Sequence, residues 1–161
     1  MTGAGQGESL AVALEREHRE IDGGIEEFAT GLAAGDPGST PLVRAMDALR
    51  RHIYLEEEFI FPPLAQGGMV MPIMVMKREH GEIWDAMDEL DRLLADGADP
   101  DKTVGACRDL LGRLDRHNAK EEPVIYPQAD ATLTAAAAAE LHEFLATGRM
   151  PEGWVCEKAA G

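Results

Sequence analysis

The stretch Arg51-His52-Ile53-Tyr54-Leu55-Glu56-Glu57-Glu58-Phe59-Ile60-Phe61-Pro62 decides the reading of this chain, because its pattern occurs twice. Arg116-His117-Asn118-Ala119-Lys120-Glu121-Glu122-Pro123-Val124-Ile125-Tyr126-Pro127 repeats its Arg-His, its Glu-Glu and its Ile-aromatic-Pro ending at the same spacings. A second pair lies upstream of these copies: Arg16-Glu17-His18-Arg19-Glu20-Ile21 and Arg78-Glu79-His80-Gly81-Glu82-Ile83. Four of the five histidines fall in the pattern. Helical residues four apart share one face, so each His-x-x-x-Glu aims an imidazole and a carboxylate at one point. Two His and one Glu per half, related by a pseudo-twofold axis, is what a two-metal site needs.

Outward from these motifs, apolar residues recur at helical spacing in four long stretches. The first reads Leu10, Leu14, His18, Ile21, Ile25, Phe28, Leu32, and Gly35-Asp36-Pro37-Gly38 ends it. Ser39 or Thr40 is placed to cap the second, with Pro41 in its first turn. That stretch reads Leu42, Met46, Leu49, His52, Glu56, Ile60 and is expected to stop near Pro62-Pro63, before a Gly67-Gly68 loop. Pro72 is expected to open the third: Ile73, Met76, His80, Ile83, Met87, Leu90, Leu94. Asp99-Pro100 starts the fourth, which reads Val104, Cys107, Leu110, Leu114, His117, Glu121 and is expected to end by Pro127. A short Ala-rich helix follows at about Leu133 to Leu145. The expected fold is all-α: an up-down-up-down four-helix bundle with a short fifth C-terminal helix. The bundle takes residues 8–146, and 147–161 form an irregular tail that docks through Trp154.

The register carries the functional argument. His18, His52, Glu56, His80, His117 and Glu121 all fall on the apolar stripes, where Leu or Met would otherwise stand. An unpaired buried carboxylate costs several kcal/mol, and this pattern buries two beside four imidazoles. A pair of metal ions offsets that cost by satisfying the lone pairs. Imidazole and carboxylate donors with no thiolate suit iron or manganese, with zinc possible.

Composition sets the outer bounds. At 161 residues the chain is one domain with room for a proper core. Its net charge of −15 argues against nucleic acid and anionic membranes as partners. No apolar run approaches the roughly 20 residues of a membrane span. Met1 to Gly7 has neither the basic nor the apolar region of a signal peptide, so the expected location is cytoplasmic. Cys107 and Cys156 read as two free thiols rather than a disulfide framework.

With its ligand pattern His, His-x-x-x-Glu, His, His-x-x-x-Glu, the chain resembles the hemerythrin-like family, the bacterial HHE cation-binding domains, over roughly residues 8 to 146. The resemblance implies a non-haem di-iron centre with an oxo or hydroxo bridge, iron being expected ahead of manganese or zinc. His18 and His52 would hold one ion, His80 and His117 the other, and Glu56 and Glu121 would bridge them. Oxygen-carrying hemerythrins have His-x-x-x-His on the third helix, whereas Trp84 stands four residues after His80 here. The last motif also spaces His and carboxylate by four rather than five. This poorer ligand set implies a centre that binds or reacts with oxygen, peroxide or nitric oxide, closer to peroxide and nitric oxide chemistry than to oxygen carriage. The alternatives are an iron or redox sensor, an iron-sulfur centre repair protein, or a di-iron oxidase with a small organic substrate. The repair proteins often carry a cysteine-bearing N-terminal segment, and none is expected here. A monomer or homodimer is expected.

Several residues stand around the motif with open roles. Asp22, four after His18, reads as a solvated helix residue or as a partner to a ligand imidazole. Trp84 reads as a shield of the centre or as plain core, and access is expected through a gap near Trp84 and Met76. Glu57 and Glu122 lie about 100° round from the motif on an ideal helix, exposed or hydrogen-bonded to a ligand. Tyr54 points away by the same geometry, and Pro123 leaves the direction of Tyr126 open. Met69, Met71, Met74 and Met76 do not converge on one face and read as core or channel lining. His142 lies outside the repeat and reads as a surface or packing histidine.

Overall fold

A computed structural model describes residues 8–160; the reading of Met1–Gly7 as no signal peptide lies outside the described residues. Helices α1 (Leu10–Ala33), α2 (Thr40–Leu55), α3 (Phe61–Gln66), α4 (Val70–Ala95), α5 (Pro100–Lys120), α6 (Tyr126–Thr132) and α7 (Ala135–Thr147) follow in order. The described residues contain no strand. α2 and α3 form one long arm, α5 and α6 another, so the four arms are α1, α2–α3, α4 and α5–α6. α1 packs on α2 and α5, and α4 on α5. The fold is the expected all-α bundle, with α7 as the short C-terminal helix.

The helix starts follow local chemistry. Ser9 caps α1 by accepting from the Val12 N–H at 3.1 Å, and Asp130 of α6 accepts from Leu10 N–H at 2.9 Å. Asp99 caps α5 and Thr134 caps α7 in the same way. Ser39 occupies the cap of α2 without a side-chain bond, and Pro41 takes the first turn. Pro72 lies inside the first turn of α4, which begins two residues earlier at Val70. The Ala-rich helix runs Ala135–Thr147, two residues later than its composition suggests.

The prolines do not end the second and fourth arms as expected. Each arm passes through one wide π turn, Glu56–Ile60 and Glu121–Ile125, and then resumes as α3 or α6. Proline removes an N–H and crowds the carbonyl four residues back. Pro62 and Pro127 sit at the start of the resumed segments, and the π turns let the chain continue past them. Phe61 N–H donates to Glu56 O, and Tyr126 N–H to Glu121 O, closing the wider rings.

The buried apolar residues form two clusters. One holds Ile25, Phe28, Met46, Ile53, Trp84, Met87 and Leu110; the other holds Leu14, Ile60, Phe61, Leu64, Ile73, Met76 and Tyr126. His18, between Leu14 and Ile21, and His80, between Met76 and Ile83, mark the polar layer that separates them. Residues 148–160 contain no helix but pack on the bundle. Trp154 meets Tyr54 and Trp84 edge-on, at 5.1 and 5.6 Å between ring centroids. Arg51 donates to the carbonyls of Phe144, Leu145 and Gly148, tying down the end of α7. Cys156 is buried in the first cluster. Among the described residues, no helix is long and apolar enough to cross a membrane.

Candidate metal centre

All six motif residues meet in the polar layer, and all are buried. Each imidazole points Nε2 inward. Glu56 spans the two halves: its Oε2 lies 3.0 Å from His52 Nε2 and its Oε1 2.9 Å from His80 Nε2. Glu121 spans them in the opposite sense, with Oε1 3.2 Å from His18 Nε2 and Oε2 3.3 Å from His117 Nε2. Two four-residue sets result, His18-His52-Glu56-Glu121 and Glu56-His80-His117-Glu121. Either could hold an ion, and they share both carboxylates. In each half, α1 or α4 contributes one His; the neighbouring arm contributes the other His and then the Glu at its π turn.

Around these six stands a ring of four carboxylates. The Nδ1–H groups of His18, His52, His80 and His117 donate to Glu122, Glu17, Glu57 and Glu79, at 2.7, 2.8, 2.8 and 2.8 Å. The ring keeps the pseudo-twofold. The Glu before the first His of each half holds that half's second His. The Glu after each spanning Glu crosses to the other half. So Glu57 and Glu122 take the hydrogen-bonded of their two expected roles. Glu17 and Glu79 carried no expected role; the signal was their place directly before each repeated His. Nδ1–H bonds of this kind fix the tautomer that leaves Nε2 free for a metal.

The charges support the same picture. Burial and Glu121 would lift the Glu56 carboxyl, but His52 and His80 outweigh them and hold it below its ordinary value. Burial also opposes ionisation of Glu121, yet His117 and His18 hold it well below the carboxylate range. Burial pushes His117 down, but Glu121 and Glu79 raise it to about 10. Raised His52, His80 and His117 thus face lowered Glu56 and Glu121 across the layer.

Tyr126, whose direction Pro123 left open, points into the centre. Its hydroxyl lies inside the first set, 2.8 Å from His18 Nε2 and 2.9 Å from His52 Nε2. It donates to Glu56 Oε2 at 2.5 Å and lies 3.0 Å from Glu121 Oε1. On an α-helix, residue i+5 sits about 140° round from residue i, which would turn Tyr126 away from Glu121. The π turn brings it back over Glu121 instead. The signal was present in the paired prolines of the repeat, but α-helical geometry hides it.

The remaining candidates sort as follows. Trp84 does not shield the centre; it faces Arg50 and Trp154. Beyond the motif residues, the central cavity is lined by Ile21, Asp22, Leu49, Ile53, Ile83, Leu114 and Asn118, so neither Trp84 nor Met76 borders it. Asp22 is half-buried at this cavity, and burial lifts it to about 6. Tyr54 packs away against Phe59, Phe144 and Trp154. Met71 and Met74 are exposed while Met76 is buried, so the methionines do not converge. His142 is half-buried on α7. Burial raises Cys107 to about 11 and Cys156 to about 12, so both are protonated, free thiols.

These residues fit a metal. His117 Nε2 and Glu121 Oε2 are buried, face one another, and have no hydrogen-bond partner among the described residues. Buried polar atoms are rarely left so, and the donors are all imidazole nitrogen and carboxylate oxygen, the set that iron, manganese and zinc accept. The family model of the hemerythrin HHE cation binding domain matches residues 9–129. No curated protein and no solved structure matches the chain. With the model spanning α1 to α6 and the paired His/Glu clusters inside that span, the chain belongs to the hemerythrin HHE cation-binding family.

Proposed function

We propose that the chain holds two iron ions and that the centre binds or reacts with oxygen, peroxide or nitric oxide. His18 and His52 hold one ion, His80 and His117 the other, and Glu56 and Glu121 bridge them. The observation that carries this reading is the sharing of both carboxylates between two His pairs. A single-ion site needs no such sharing. Bound iron supplies Lewis acidity and one-electron chemistry. The chain supplies the rest: the outer glutamates orient the imidazoles, and the apolar walls exclude bulk water. The central cavity is about 10 Å³, near the least that holds one water. Apart from Asp22 and Asn118, the residues around the six ligands are the apolar Ile21, Leu49, Ile53, Ile83 and Leu114, a lining that suits small, mostly neutral ligands.

An iron or redox sensor is the second reading with an observation behind it. Glu57 accepts from His80 Nδ1–H and also from the Glu157 backbone N–H at 3.1 Å. A change at the centre would thereby reach the tail.

The test is elemental analysis of protein expressed with iron supplied, followed by spectra before and after peroxide or nitric oxide. Two irons per chain and a spectral response to either reagent are expected. One metal per chain, or zinc alone, contradicts the di-iron reading. If the reduced protein takes up oxygen and releases it intact under vacuum over repeated cycles, carriage is the function instead.

A further inference from the structure

The two halves agree in the six inward His and Glu and in the four outer glutamates, but differ in the aromatic residue that closes each π turn. Ile60-Phe61-Pro62 and Ile125-Tyr126-Pro127 are equivalent, each nine residues past its His and each closing a π turn. Phe61 stacks on His80 at 5.3 Å between centroids, and Tyr126 lies against His18 at 5.4 Å. The rings occupy the same place relative to the pseudo-twofold. Only Tyr126 brings an oxygen, and that oxygen lies among the four inward atoms of the first set.

We propose that Tyr126 Oη is a ligand of the ion held by His18 and His52, so that the two ions are unequally coordinated. This rests on the di-iron reading above. The Tyr126 ring is fully buried and packed between His18 and the second apolar cluster. An ion at about 2 Å from nitrogen and oxygen donors enters that set only beside the phenol oxygen. Coordination forms one iron–oxygen bond and breaks the O–H bond. The proton now directed at Glu56 leaves to water, and no electron is transferred. The first ion then has five protein donors: two imidazoles, two carboxylates and a phenolate. The second has four, with the Phe61 ring where the other half has Tyr126. Small ligands bind at the second ion, on the His80/His117 side, where His117 Nε2 and Glu121 Oε2 face one another at 3.3 Å and neither has a hydrogen-bond partner among the described residues.

The experiment is resonance Raman spectroscopy of protein loaded with ferrous iron and oxidised in air, with iron counted in the same sample. Iron–phenolate charge transfer enhances tyrosine ring vibrations, which imidazole and carboxylate ligands do not produce. The chain has two tyrosines, which makes assignment direct. The vibrations are expected in the wild type and in Tyr54→Phe, and lost in Tyr126→Phe with two irons retained. Phe61 already fills the equivalent place, so Tyr126→Phe is a mild change. If that variant does not fold, wild type labelled with ring-deuterated tyrosine decides, because the same vibrations must shift. Two irons without tyrosine vibrations overturns the phenolate proposal and leaves the di-iron centre standing. A wild type that takes up no iron overturns both.

Discussion

Glu17, Glu57, Glu79 and Glu122 each hold one imidazole by Nδ1–H, which makes them the residues where metal affinity can be tuned without removing a ligand. Glu122→Gln keeps an acceptor for His18 but removes the charge that makes the imidazole a better donor. The expected result is a loss of metal affinity of about 10- to 100-fold, read by competition with a chelator at unchanged helix content. Unchanged affinity would mean that the carboxylate ring is packing alone. The same pairing sets the pH response of the metal-free protein. His117 is raised to about 10, against the push of burial, by Glu121 and Glu79. Its stabilisation is complete below the unfolded value near 6.5 and is lost as pH rises towards 10. The His117 hydrogen bond lowers Glu79 to about 2, with Lys120 adding to it. That contribution is present above about 4.5 and is lost as pH falls towards 2. Metal-free protein should therefore melt highest between about pH 4.5 and 6.5 and lose stability on both sides, as followed by circular dichroism across a pH series. A melting temperature flat from pH 6 to 10 would contradict the imidazolium-carboxylate layer.

At the scale of elements, the π turns and the tail position the centre. Each π turn places a spanning Glu at its start and an aromatic ring just past its end, both on the inner face. The tail contacts the same region through Glu57. Gly81, directly after His80, makes this contact possible: a Cβ there would lie 2.3 Å from the Lys158 carbonyl oxygen. Gly81→Ala should push residues 156–158 off α4 and free the Glu57 bond to Glu157 N–H. Cys156 is then expected to react with a thiol reagent at least tenfold faster, while Cys107, buried between the arms, stays inert. Equal labelling of both thiols would indicate general loosening rather than tail release. Loss of metal from the His80 side alongside tail release would favour the sensor reading.

At the scale of the whole molecule, the centre joins two apolar clusters across a polar layer. Free iron at a thousandfold excess over its dissociation constant stabilises the folded state by about 4 kcal/mol. For a domain of this size, that lowers the melting temperature by roughly 10 °C when the metal is stripped. The stripped protein should still fold, because the imidazoles and carboxylates pair with one another. His52→Ala and Glu121→Ala should lose metal and a further 1–3 kcal/mol or so from each buried group left without its partner. Differential scanning calorimetry with and without chelator separates the two effects. A variant melting with the metal-loaded wild type would show that the layer does not support the core.

The duplicated motif determined the all-α bundle, because His and Glu recurring on apolar stripes constrain helix faces as strongly as Leu and Met do. It also determined which six side chains meet, since the spacing of four is a property of one helix. The helix start at Asp99 was legible from local chemistry alone. Tertiary structure decided what depends on departures from α geometry or on contacts between arms. The prolines looked like helix ends, but the π turns carry the arms past them and swing Tyr126 into the centre. Glu17 and Glu79 find their histidines across a helix pair, a relation that no spacing within one helix records. Trp84 turned to the tail because Trp154, seventy residues on, returns to cover it. Local periodicity chose the faces, and the pairing of faces from distant segments chose which groups touch.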